Sequence, residues 1–171
     1  MTMRPASAGQ ARLQSNCAAM EGVPLTLLIT MVVLAITVPL IFGSLRAYDR
    51  ARVETTLMSE IDSFISAVQL IYTSGPGNSA VIDFNAAPGS MTGIDYLAFG
   101  DEPGGGMAST IRYKVQSRPE SMVPVSSPNV PMMSSGGIEF KIASGNHQIR
   151  AECISNASLS QSTFVLLELC Q

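Results

Sequence analysis

Residues 22–45 read GVPLTLLITMVVLAITVPLIFGSL, an uncharged run bounded by Glu21 and Arg46. As a helix, these 24 residues would extend about 36 Å at 1.5 Å per residue. The hydrocarbon core of a bilayer is roughly 30 Å thick. The domain left in the rest of the chain is too small to surround such a helix on every side, so the run reads as a membrane span rather than a core helix. Pro24 falls in the first turn of that helix, where its missing N–H costs nothing. Pro39, near the far end, predicts a kink or one lost hydrogen bond.

Outward from this run, the helical pattern continues on the C-terminal side. Apolar residues recur at Leu45, Tyr48, Val53, Leu57, Ile61, Phe64, Ile65, Val68 and Tyr72, mostly three or four apart, which is the spacing of one apolar helix stripe. Charged residues, among them Arg46, Asp49, Arg50, Arg52, Glu54, Glu60 and Asp62, take other positions. Ser74-Gly75-Pro76-Gly77-Asn78 ends the pattern. One continuous helix is therefore expected over 23–73, apolar all round in its first part and amphipathic in its second. On the N-terminal side, residues 1–22 are polar, carry Arg4 and Arg12, and contain no apolar stretch of their own. They are not an ordinary secretory leader, which has its apolar stretch before the cut.

Beyond residue 78 the period changes from helical to alternating. Ile111-Arg112-Tyr113-Lys114-Val115 alternates apolar with basic, and Ile138 to Ile142 and Ile149 to Cys153 do the same. The last two, joined by a segment rich in Gly and Asn, are expected to form one β-hairpin with His147 at its turn. Val81–Phe84, Ile94–Phe99 and Phe164–Leu169 are further strands. Met122–Val125 would be confined to a sheet edge by Pro124. Met132-Met133, among nearby prolines, reads as an extended loop. The expected fold class is α+β: a long N-terminal transmembrane and amphipathic helix, then a small, antiparallel, β-rich, sandwich-like head over 78–171.

Composition narrows the functional classes. Of 171 residues, 46% are hydrophobic and only 13% charged, and the net charge of −3 leaves no basic footprint for nucleic acid. The chain has one His and no Trp. No Ser/His/Asp set can be argued from one turn histidine. Gly104-Gly105-Gly106 lacks the strand, helix and Lys or Ser/Thr of a phosphate-cradling loop and reads as a hairpin tip. Asp83, Asp95, Asp101 and Glu102 lack the close spacing of a calcium loop. No catalytic residue, metal ligand or cofactor is therefore expected, and the protein is not read as an enzyme.

The order of polar leader ending in Gly, apolar helix, amphipathic stalk and β-rich head resembles type IV pilin-like precursors. It is most similar to archaeal ones with a class III signal peptide. The segment around Tyr48-Asp49-Arg50 and the Gly75-Pro76-Gly77 turn share in the likeness, which covers residues 1–77 well and the head loosely. The resemblance implies cleavage by a prepilin peptidase on the cytoplasmic side, here between Gly22 and Val23. Glu21 stands where such leaders often carry Lys or Arg. Leu27 occupies the fifth mature position, where bacterial-type pilins carry Glu, so subunit docking would not use that carboxylate.

Three cysteines are present, Cys17, Cys153 and Cys170. Removal of 1–22 would leave two in the head. These either pair in a bridge worth about 3 kcal/mol or are two small apolar residues. Asn156-Ala157-Ser158 fits an N-glycosylation acceptor. The expected function is a structural subunit, major or minor, of an archaeal type IV pilus-like surface filament. The chain would be membrane-anchored with an extracellular C-terminal head before assembly. Its partners would be the membrane, the prepilin peptidase, and copies of itself or other pilin-like subunits through the helix. The alternative is an uncleaved single-span protein whose extracellular head binds a partner or ligand.

Overall fold

A computed structural model describes residues 11–102, 104–155 and 163–170, and of 11–23 the backbone alone. The fold is α+β, with one long helix followed by two small sheets. The chain divides into two units, Met1–Leu45 and Arg46–Gln171. Helix α1 spans Ala11–Ser74 and contributes to both. It starts earlier than the sequence pattern suggests, so Pro24 lies inside it rather than in its first turn, and the helix assignment runs unbroken through Pro24 and Pro39. It stops where the Gly-Pro-Gly segment predicts. Gly75 adopts φ +89° and Gly77 φ +93°, a region that glycine enters without steric cost, and Asn78 Nδ2 donates to Ser74 O at 2.8 Å and Gly75 O at 2.9 Å.

In the second unit, strands β1 (Ser79–Ala86), β7 (Gly145–Ser155), β8 (Thr163–Leu169) and β5 (Met132–Ser134) form one sheet in the order β1-β7-β8-β5. Strands β4 (Ser121–Pro124), β3 (Thr110–Val115), β2 (Ile94–Phe99) and β6 (Phe140–Ile142) form the other, in the order β4-β3-β2-β6. The alternation in β3 does what the sequence suggests. Ile111, Tyr113 and Val115 are buried, while Arg112 and Lys114 pair with Glu139 and Asp95. Pro124 lies on the edge strand β4, opposite Thr110.

The helix supplies much of the core. Val53, Leu57, Ile61, Phe64 and Val68 are all buried against residues from both sheets. Each contributes roughly 1.5–3 kcal/mol in the area measure of burial. Phe64 stands at the junction, with its ring centroid 5.8 Å from Phe84 of β1 and 4.8 Å from Phe99 of β2. The two sheets are also tied to each other. Met132 N–H donates to Ala108 O at 2.8 Å, and Asp101 N–H to Met132 O at 3.3 Å. That approach is so close that a Cβ on Gly100 would lie 1.8 Å from Met132 O.

Three strand-level expectations are corrected. β6 and β7 do not form a hairpin: β6 pairs with β2 and β7 with β1 and β8, in different sheets. Gly145, at φ +140°, turns the chain from one sheet to the other. Alternation alone is identical for a hairpin and for such a corner. His147 is therefore not at a turn but in β7, opposite Phe84. Met132–Ser134 is not a loop but a short strand parallel to β8. Three residues beside prolines, paired with a distant segment, carry no periodic signal.

Candidate functional site: the bare apolar helix and the polar clamp that follows it

The apolar run is exposed along its length. From Leu25 to Leu45 the large hydrophobics range from 42% exposed at Val38 to 66% at Met31. A helix backbone by itself covers part of every side chain it carries, so these values leave little further cover from the other described residues. The helix is long and apolar enough to cross a membrane, and the most apolar window has no buried residue. Thr30 and Ser44 turn their hydroxyls back onto helix carbonyls, Leu27 O and Leu40 O, each at 2.9 Å. Polar groups satisfied in this way are tolerated in hydrocarbon.

Past Leu45 the helix behaves differently, because its polar residues hold loops of the head. Asp49 accepts the N–H groups of Ser90 at 3.1 Å and Met91 at 2.8 Å. The Met91 amide is the main reason its carboxyl sits below the ordinary value of 3.8; partial burial works in the opposite direction. Gly89 is required beside it, since a Cβ there would come within 2.5 Å of Asp49 Oδ2 and 2.6 Å of Val53 Cγ2. Glu54 pairs with Arg118 at 3.6 Å, and Gln69 Nε2 donates to Ser126 O at 3.0 Å. Each of these exposed or half-exposed contacts is worth little alone. Spaced along the helix, they fix its rotation so that the stripe faces inward.

The main residues of the amphipathic stripe are buried within the subunit. Large apolar side chains of α1 that remain exposed beyond the run itself are Tyr48 and Leu70. Among the described residues of α1, the continuous exposed apolar surface is the run 24–45.

Compared with protein-family models, with curated proteins and with solved structures, the chain matches none.

Gly22 and Val23, the expected cleavage pair, lie within the helical backbone of α1. Asn156 lies outside the described residues. A bridge between Cys153 and Cys170 was one of two alternatives, and in the structure both thiols are free. Cys153 sits opposite Val165 in the β7–β8 ladder, whereas Cys170 follows Leu169 and its N–H donates to Gln148 O at 2.8 Å. Cys153 and Gln148 are five residues apart on β7, about 16 Å at strand rise, and bridged Cα atoms lie within about 7 Å. Cys153 is the small-apolar alternative: it is fully buried, and burial pushes its thiol up.

A recess of about 500 Å³ is lined by Glu60, Asp83, Phe84, Asn85, His147 and Gln148, among others. Several of its polar groups are engaged with one another or with backbone. Gln148 Nε2 donates to Asp83 at 2.9 Å, and a His147 ring nitrogen lies 2.9 Å from Ala143 O. Among the described residues no group of three His, Cys, Asp or Glu is placed to hold a metal ion. The recess has no nucleophile paired with a base.

Proposed function

We propose that this chain is a structural subunit of a type IV pilus-like surface filament, of the archaeal kind that the leader–helix–head order resembles. A prepilin peptidase would cut it between Gly22 and Val23. One observation carries this reading: residues 24–45 present exposed apolar surface on all sides, while the apolar stripe of the helix beyond them is buried in the subunit's own core.

A protein built this way has an apolar rod that is exposed along its length. In lipid the rod is satisfied. Once it leaves lipid, it can be buried only against other rods. At roughly 25 cal/mol per Å² of apolar area, helix-on-helix burial is a large favourable term, opposed by the ordering of subunits. Repeated head-to-tail contacts of this kind give an open helical array. The head supports the same reading, since its core is completed by its own helix rather than by a neighbour. It can therefore fold before assembly and ride on the rod.

Electron microscopy of surface material sheared from cells, with mass spectrometry of the purified fibres, tests this. The expected result is thin filaments in which this chain is present. Fibres that lack it, together with recovery of the chain solely as a monomer in the membrane fraction, would favour the anchored, uncleaved alternative.

A further inference from the structure

Three arginines, Arg46, Arg50 and Arg52, follow the last residue of the apolar run within a single stretch of seven residues. Their situation differs from that of every other described cation beyond them. Arg112, Lys114, Arg118, Lys141 and Arg150 each lie within 4.0 Å of a carboxylate. Arg46, Arg50 and Arg52 form no ion pair among the described residues. The one acid among them, Asp49, has its carboxylate turned to the amides of Ser90 and Met91. It forms no ion pair with them, and three arginines with this one acid leave residues 46–52 two charges positive. Arg50 Nε is buried without a hydrogen-bond partner.

At 100° per residue, Arg46 and Arg50 fall on the helix side that carries Val53 and Leu57, while Arg52 falls on the far side with Tyr48. The positive charge thus surrounds the helix. Tyr48 is 72% exposed, and an aromatic ring with a polar tip is favoured where hydrocarbon meets headgroups. Arg52 lines two open recesses of about 290 and 330 Å³, the first bordered by the Ala87–Ser90 loop and the second by Tyr48 and Thr55.

We infer that Arg46, Arg50 and Arg52, with Tyr48, form a collar that binds the phosphates of anionic lipid headgroups where the apolar helix emerges from the membrane. The guanidinium fork suits phosphate oxygens, and the acidic remainder of the head offers such a surface nothing else. The inference rests on the membrane placement of residues 24–45, and not on cleavage or filament assembly.

The test uses the full chain in nonionic detergent with equal amounts of phosphatidylglycerol and phosphatidylcholine, and native mass spectrometry to count retained lipids. One arginine near an anionic surface is worth roughly a five-fold change in partition. Wild type should retain phosphatidylglycerol at least ten-fold over phosphatidylcholine, the triple variant R46Q/R50Q/R52Q should show no preference, and R150Q should match wild type. Equal retention by wild type, or an undiminished preference in the triple variant, would overturn the collar. Displacement of phosphatidylglycerol by millimolar inorganic phosphate would also overturn it, in favour of a free-anion site. If the triple variant exposes Cys153 to labelling and so has lost its fold, R52Q, at an exposed position, decides: a several-fold fall supports the collar and no change rejects it. Flotation of wild type on vesicles of either lipid separates the two levels. Flotation on both with equal headgroup retention rejects the collar alone; flotation on neither removes the membrane reading with it.

Discussion

Replacing Phe64 with alanine should strongly destabilise the head, and the size of the loss follows from where the ring sits. Phe64 is fully buried and touches the rings of Phe84 and Phe99, at 5.8 and 4.8 Å between centroids, one in each sheet. Truncating a buried phenylalanine to alanine costs about 3–5 kcal/mol, and the two lost aromatic pairs place this site toward the upper part of that range. Against a total stability of roughly 5–15 kcal/mol the loss is large. With a urea m-value of about 2 kcal/mol/M, a 4 kcal/mol loss moves the midpoint by about 2 M. The full chain in detergent micelles, with Cys17 replaced by serine, can be titrated with urea while Cys153 accessibility to a thiol reagent is followed. Leu70→Ala is the matched control: it lies on the same helix but is 68% exposed, and an exposed substitution of this kind shifts stability by no more than about 0.5 kcal/mol. A Phe64→Ala loss below about 1 kcal/mol, or one equal to that of Leu70→Ala, would refute the claim that the helix is the inner wall of the head.

The Asp49 carboxyl is held below its ordinary value of 3.8, chiefly by the Met91 amide, so its stabilising contribution is present above that value and is lost as pH falls through the depressed one. Asp49→Asn should therefore lower the urea midpoint at pH 7 and flatten the loss of stability below about pH 4, as read from midpoints across that range. Thiol counting on the folded Cys17→Ser chain should find Cys170 labelled at once and Cys153 labelled only after denaturation, with no change on adding reductant; two protected thiols released by reductant would restore the disulfide.

Much of the architecture is written in local patterns. The uncharged run 22–45, the three-and-four spacing from Val53 to Val68, the Gly-Pro-Gly stop and the alternation in Ile111–Val115 each depend on near neighbours, and each appears where its pattern points. What sequence could not show depends on distant partners. The corner at Gly145 differs from a hairpin only in which sheets its flanking strands join. β5 exists because β8 offers a parallel edge to three residues. The separation of Cys153 and Cys170 follows from the register of β7 on β8. Near the apolar run, the arginines at 46, 50 and 52 are plain in the sequence, but their lack of carboxylate partners emerges only when the other cations are seen to be paired. The role of Asp49 was similarly hidden, because its partners are backbone amides some forty residues away. A single acid among arginines beside a span was the available hint.

The mature N-terminus bears most directly on whether the apolar rod is released for assembly. Intact-mass measurement and N-terminal sequencing of the chain extracted from its native membranes should find it beginning at Val23. A chain that still begins at or near Met1, in cells that make surface fibres, would contradict the account.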